Sequence, residues 1–266
     1  MSISSIQRLI LVPLVLLVLG GCGGGSSLET LRRDLGRYPE YSVILQDMDS
    51  KGLFFKDYFH RYRLLYNTGD KEKQTGKDGA PELAQKLTDW VKVDKETYDK
   101  YQPALGMAIM AKKPDGTIES AIQPPGFQYV GDSRFGQWQT DGGGNQVWAW
   151  LATSMVLSEV VDELGDAFEK RGRRIDYRDW QEYKKTTGKG HPYFGRKNEQ
   201  GKPQFGTQGT TVQKSTKGFF ERQQARMAER KESFSNKVEA RMGRTKASGG
   251  RMAGAGLSGS RSFGRK

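Results

Sequence analysis

The stretch Tyr41-Ser42-Val43-Ile44-Leu45-Gln46-Asp47-Met48 decides the fold. Its β-branched and aromatic residues predict a strand. Asp49-Ser50-Lys51-Gly52 follows as turn chemistry, with Gly52 suited to a positive φ. Residues 53–66 then read Leu-Phe-Phe-Lys-Asp-Tyr-Phe-His-Arg-Tyr-Arg-Leu-Leu-Tyr. Phe54, Tyr58, Tyr62 and Tyr66 share one set of alternate positions with Lys56, His60 and Leu64. Phe55, Phe59 and Leu65 take the other. Alternation predicts a β-hairpin, with a helix as the alternative for its second arm.

Working outward, residues 28–37 predict a short helix through Leu28, Leu31 and Leu35. Residues 67–81 are polar and Gly-rich, a loop. Residues 87–93 predict a strand, 95–101 one or two helical turns and 104–112 another strand. Pro114-Asp115-Gly116 turns the chain, and 117–122 return as a strand. Residues 40–122 therefore read as a small antiparallel sheet with short helical insertions, an α+β fold. A loop rich in Gly and aromatics comes next. Its Gly142-Gly143-Gly144 run lacks phosphate-loop spacing. Residues 146–168 predict a helix with Val147, Trp150, Leu151, Met155 and Val161 on its apolar face, packed on the sheet. Its acidic polar face argues against a helix lying in a membrane interface.

Composition limits how much of the chain is compact. Of 266 residues, 35% are hydrophobic, and mean hydropathy is −0.73. Part of the chain should be solvated or disordered. The net charge of +12 is uneven: residues 184–266 carry +15, whereas 22–183 carry −4. Such a split points to a basic extension meeting an anionic partner.

The N-terminus carries one charge, Arg8, then an apolar run at residues 9–19, then Gly20 and Gly21 before Cys22. That order reads as a signal peptide. The run is too short for a spanning helix, which takes roughly 20 residues. Leu19-Gly20-Gly21-Cys22 resembles the lipobox of bacterial lipoproteins, a resemblance confined to these residues and the segment before them. It implies cleavage between Gly21 and Cys22, a diacylglyceryl thioether on Cys22 and a further acyl chain (palmitate-type) on its amine. Two or three chains anchor durably where one does not. Gly23-Gly24-Gly25-Ser26-Ser27 then suits a flexible tether. The resemblance implies a bacterial envelope location. Gly23, where an aspartate would favour the inner membrane, implies the periplasmic face of the outer membrane if the cell has one.

Cys22 is the only cysteine. A disulfide framework within one chain and a Cys-cluster metal site are both excluded. His60 and His191 are far apart, and no HExxH or HxH pattern exists. Ser133, in Asp132-Ser133-Arg134, has no nucleophile elbow around it. Asp47 and Asp49 flank a turn with no facing partner legible. No metal ligand, cofactor or catalytic residue is assigned, and the chain reads as non-enzymatic.

The C-terminal third divides into a polar Gly-rich linker (184–216), a basic helix (217–242) and a disordered basic tail (243–266). These follow a signal peptide (1–21), a lipidated tether (22–28) and a globular domain (29–183). In the helix, Phe220, Met227, Phe234, Val238 and Met242 form a narrow stripe. A lone helix of this length is marginal in water, so a partner or surface should support it. Arg222, Arg226, Arg230, Arg241, Arg244, Arg251, Arg261 and Arg265 are the candidate polyanion contacts. An exported chain meets anionic envelope polymers, lipid headgroups and proteins, so no nucleic-acid partner is expected. The expected function is a lipid-anchored structural or interaction protein of the envelope. One alternative is a small-molecule or glycan-binding module using Phe127, Tyr129, Trp138 and Trp148. The other is an envelope hydrolase without a recognisable motif.

Overall fold

The computed structural model describes residues 27–52, 55–69, 81, 83–151, 175–210, 212 and 216–249. The hairpin forms: β1 (Tyr41–Lys51) pairs antiparallel with β2 (Asp57–Asn67). β1 runs through Asp49, Ser50 and Lys51, which the sequence suggested as turn, so the turn begins at Gly52. Gly52 has φ +103°, and a Cβ there would lie 1.9 Å from the Phe55 carbonyl oxygen. Only glycine fits that position.

A bulge at Gln46 decides which side chains of β1 enter the core. Leu45 faces Tyr62, but the next register partner of Arg61 is Asp47. One residue is inserted, so the alternation changes phase. Val43, Leu45 and Met48 thereby share the face of Leu64, Tyr62 and His60, all buried. Asp47 and Asp49 turn to the opposite face.

Two strands divide the far edge of β2 between them. β3 (Leu83–Leu87) pairs with Arg63–Asn67 and β4 (Val91–Val93) with Tyr58–His60. Thr88 fills the gap: its N–H donates to the Tyr62 carbonyl at 2.8 Å, and its Oγ1 accepts from the Tyr62 N–H at 2.9 Å. The single strand expected over 87–93 is therefore interrupted. On the other side of β1 lie β5 (Ala108–Lys112) and β6 (Ile118–Glu119), completing a six-stranded sheet. α1 (Ser27–Leu35) and α2 (Lys95–Tyr101) supply the helical insertions. Asp94 caps α2 by accepting from the Thr97 N–H, which holds its carboxyl below the usual range. The α+β class holds.

The helix expected over 146–168 does not begin where the sequence placed it. β7 (Gly136–Thr140), β8 (Gln146–Trp150) and β9 (Ile175–Asp176) form a second antiparallel sheet. Asp141 organises the β7–β8 turn, its Oδ1 accepting from the N–H groups of Gly143 and Asn145 at 2.9 and 2.8 Å. That closure sets Trp138 opposite Trp148 and commits Val-Trp-Ala-Trp to a strand. Residues 152–168 of the expected helix lie outside the described residues. Gly136 permits a close approach, since a Cβ there would lie 2.5 Å from the Ala149 oxygen and 2.6 Å from the Trp148 ring.

The folded body does not stop near residue 183. α3 (Tyr177–Thr187) is followed by a segment that returns to the core. Tyr193, Phe205 and Val212 are buried among Tyr101, Leu105, Phe127 and Tyr183. The Tyr193 N–H donates to the Ile122 carbonyl and the Thr207 N–H to that of Pro103. The low apolar content of 184–216 had marked it as a linker. A few well-placed aromatics nevertheless pin it down.

α4 (Lys217–Gly249) closes the described chain. It continues seven residues into the segment expected to be a disordered tail. Among the described residues no helix is long and apolar enough to cross a membrane.

Candidate interaction site

The start of α4 is seated on the body. Phe219 is buried in the main core and Phe220 packs partly against it. One turn later, Arg222 Nη2 donates to Asp47 Oδ1 at 2.5 Å and to the Met48 carbonyl at 3.4 Å. Its guanidinium also lies 5.6 Å from the Trp90 ring centroid. Arg226 pairs with Asp49 and donates from Nη1 to Ser50 Oγ at 2.9 Å. These are the two carboxylates that the Gln46 bulge turned away from the core. Asp47 and Asp49 had shown no facing partner in the sequence, because their partners lie more than 170 residues away.

This clamp predicts an asymmetric response. The Asp49 side chain is 10% exposed and that of Arg226 24%. Arg226→Ala strands a buried carboxylate, with Arg222 3.9 Å away as its nearest remaining cation. Asp49→Ala releases an arginine that can reach water. Urea unfolding should show a loss of about 1–3 kcal/mol for Arg226→Ala and a smaller loss for Asp49→Ala. The reverse order would mean that the pair is not the anchor of the helix.

Beyond the clamp, α4 and the end of β1 enclose a cleft of about 610 Å³, lined by Ser50, Lys51, Gly52, Glu229, Arg230 and Ser233 among others. The helix then outruns the sheet. Its 33 residues span about 50 Å at ~1.5 Å per residue. Met227, Phe234 and Met242 are 61%, 68% and 57% exposed. At about 100° per residue they fall with Phe220 and Val238 on one stripe. Arg222, Arg226, Arg230, Lys237 and Arg241 occupy one flank of it. Glu221, Glu229, Glu232 and Glu239 occupy the other. The basic flank supplies the clamp, and beyond Phe220 the apolar stripe lies about a third of a turn round the helix from it.

The candidate arginines thus separate into groups. Arg222 and Arg226 hold the helix to the body, so a polyanion would have to displace Asp47 and Asp49 to meet them. Arg230 borders the cleft, Arg241 is exposed, and the backbone of Arg244 lies within α4. Arg251, Arg261 and Arg265 lie outside the described residues, as do Gly21 and Cys22.

The four aromatics proposed as ligand contacts do not form a binding face. Phe127 and Tyr129 are each 3% exposed and Trp148 2%. Phe127 meets Tyr183, Tyr193 and Phe205, while Tyr129 meets Phe135. Trp138 is half-buried, packed on Trp148, Tyr177 and Trp180. Phe127 and Trp148 belong to the main core with Trp138 packed against it, and Tyr129 belongs to a second cluster with Ile44, Leu65, Leu83 and Ala108. Asp132 and Arg134, around Ser133, form a structural network instead: Arg134 bridges Asp132 and the buried Glu40, which accepts from Asn67 Nδ2 at 2.9 Å. Among the described residues no cluster of three His, Cys, Asp or Glu could hold a metal ion. A second cleft of about 370 Å³ between α1 and α2 is lined by both signs of charge, including Glu29, Arg32, Asp94 and Lys100.

No protein-family model matches this sequence, and no curated protein or solved structure matches it.

Proposed function

We propose that this chain is a lipid-anchored bacterial envelope protein with a structural or interaction role. Acyl chains on Cys22 hold one end, and α4 presents a basic surface to an anionic envelope component. The observation that carries the second half is α4 itself. Its first three turns are fixed to the body by Phe219, Arg222 and Arg226, and the remainder carries large exposed apolar side chains. A helix that served only to complete the core would end once its apolar residues were covered. The first half rests on the lipobox-like string and its sole cysteine.

Fractionation of cells expressing the wild-type chain and Cys22→Ser tests the anchor. The wild-type protein should sediment with membranes, incorporate palmitate and start at Cys22 by mass spectrometry. Cys22→Ser should incorporate none. Equal palmitate incorporation in the two forms, or none in either, removes the anchor from the proposal.

A further inference from the structure

We propose that the projecting part of α4 lies on an anionic phospholipid bilayer, with its apolar stripe inserted at the headgroup boundary and its basic flank over the phosphates. This deepens the reading above and rests on it, because the anchor keeps the helix beside a membrane.

The geometry supports this in three ways. Met227, Phe234, Val238 and Met242 lie about a third of a turn round the helix from the clamp, so the helix can meet a surface without leaving β1. Lys231 falls within the stripe, where a lysine can bury its stem and extend its ammonium to the headgroups. Arg230, Lys237 and Arg241 continue the basic flank on one side of the stripe, and the glutamates lie on its other side.

Charge also selects the occupant. From Met227 to Gly249 the sequence of α4 holds six Lys and Arg against three Glu. Each basic residue near an anionic membrane strengthens adsorption about fivefold. A stable protein interface needs about 1,200 Å² or more of buried surface with a packed core. A row of four apolar side chains spaced along a single helix is better suited to shallow insertion between lipids. The affinity required is modest, since a tethered second contact acts at high effective concentration.

The test uses the mature chain from residue 22 onward carrying Cys22→Ser, so that no acyl group contributes. It is sedimented with phosphatidylcholine vesicles with and without phosphatidylglycerol. Binding should appear only with phosphatidylglycerol and should fall steeply as salt is raised. Lys237→Gln should bind about fivefold more weakly, and Phe234→Ser should also weaken binding. Both positions are exposed, so urea midpoints should stay at the unsubstituted value and confirm intact folding. Phe55→Ser, an exposed aromatic off the helix, should bind normally. Absence of binding to phosphatidylglycerol vesicles, or unchanged binding of both helix variants, overturns the proposal and leaves a protein or polymer as partner of α4. Because the tested chain carries no lipid, its failure is distinct from failure of the Cys22 anchor, which the palmitate experiment reads.

Discussion

Phe205→Ala should lower the unfolding free energy by about 3–5 kcal/mol, read from the urea midpoint at constant m-value. Phe205 is 4% exposed, and its ring stands edge-on to Phe127 with centroids 6.0 Å apart. Gly195 leaves room for it, since a Cβ at that position would sit 2.7 Å from the Phe205 ring. The Phe205 N–H also donates to the Phe194 carbonyl at 3.0 Å, which fixes the local chain. Truncation therefore removes apolar burial and leaves a void that this pinned segment cannot collapse to fill. Phe55→Ala, at a position 94% exposed, should change stability by less than about 0.5 kcal/mol. A loss below about 1 kcal/mol for Phe205→Ala would mean that the segment following α3 does not belong to the core.

The difference between these two phenylalanines shows where sequence reading succeeds. The β1–β2 hairpin is legible because Val43, Leu45, Tyr62 and Leu64 repeat with the strand period, and Gly52 marks the turn. Two features defeated that pattern. The Gln46 bulge is one extra residue with no compositional signature, yet it decides that Asp47 and Asp49 face α4. The β7–β8 hairpin depends on Asp141 closing a turn, while Val147, Trp150 and Leu151 fit a helical period equally well in isolation. Tertiary pairing resolved the tie.

The interaction site was only half legible. Its apolar stripe and arginines could be counted along the chain, because both follow the helical period. Which arginines remain available could not, since that depends on carboxylates at the far end of the sequence. Similarly, Phe127, Tyr129 and Trp148 looked like ligand contacts because they cluster in a Gly-rich stretch. Such a stretch becomes core when other segments cover it: Tyr183, Tyr193 and Phe205 pack on Phe127, whereas Tyr129 is buried in a second cluster with Ile44, Leu65, Leu83 and Ala108.

Acidification should destabilise the protein through His60. The ring is fully buried on β2, with Nδ1 2.9 Å from the Tyr62 hydroxyl and no hydrogen-bond partner for Nε2. It stacks on Tyr98 at 5.5 Å and meets Tyr101 edge-on at 6.4 Å, both from α2. Burial lowers its pKa to about 4, and the more distant Asp94 carboxylate offsets this only in part. The unfolded chain, with an ordinary value near 6.5, binds a proton that the native state refuses between about pH 6.5 and 4. Stability contributed by keeping His60 neutral is therefore complete above about pH 6.5 and lost as pH falls toward 4. The two values correspond to about 3 kcal/mol over that window. His60→Gln keeps an amide acceptor within reach of Tyr62 but cannot titrate. Its unfolding free energy should fall less between pH 7 and 4 than that of the wild-type protein, by roughly this amount. The carboxylates titrate in both proteins and cancel in the comparison. Parallel pH profiles would show that His60 reaches water or a new partner when protonated, in which case the Tyr62–Tyr98–Tyr101 enclosure opens before the fold does.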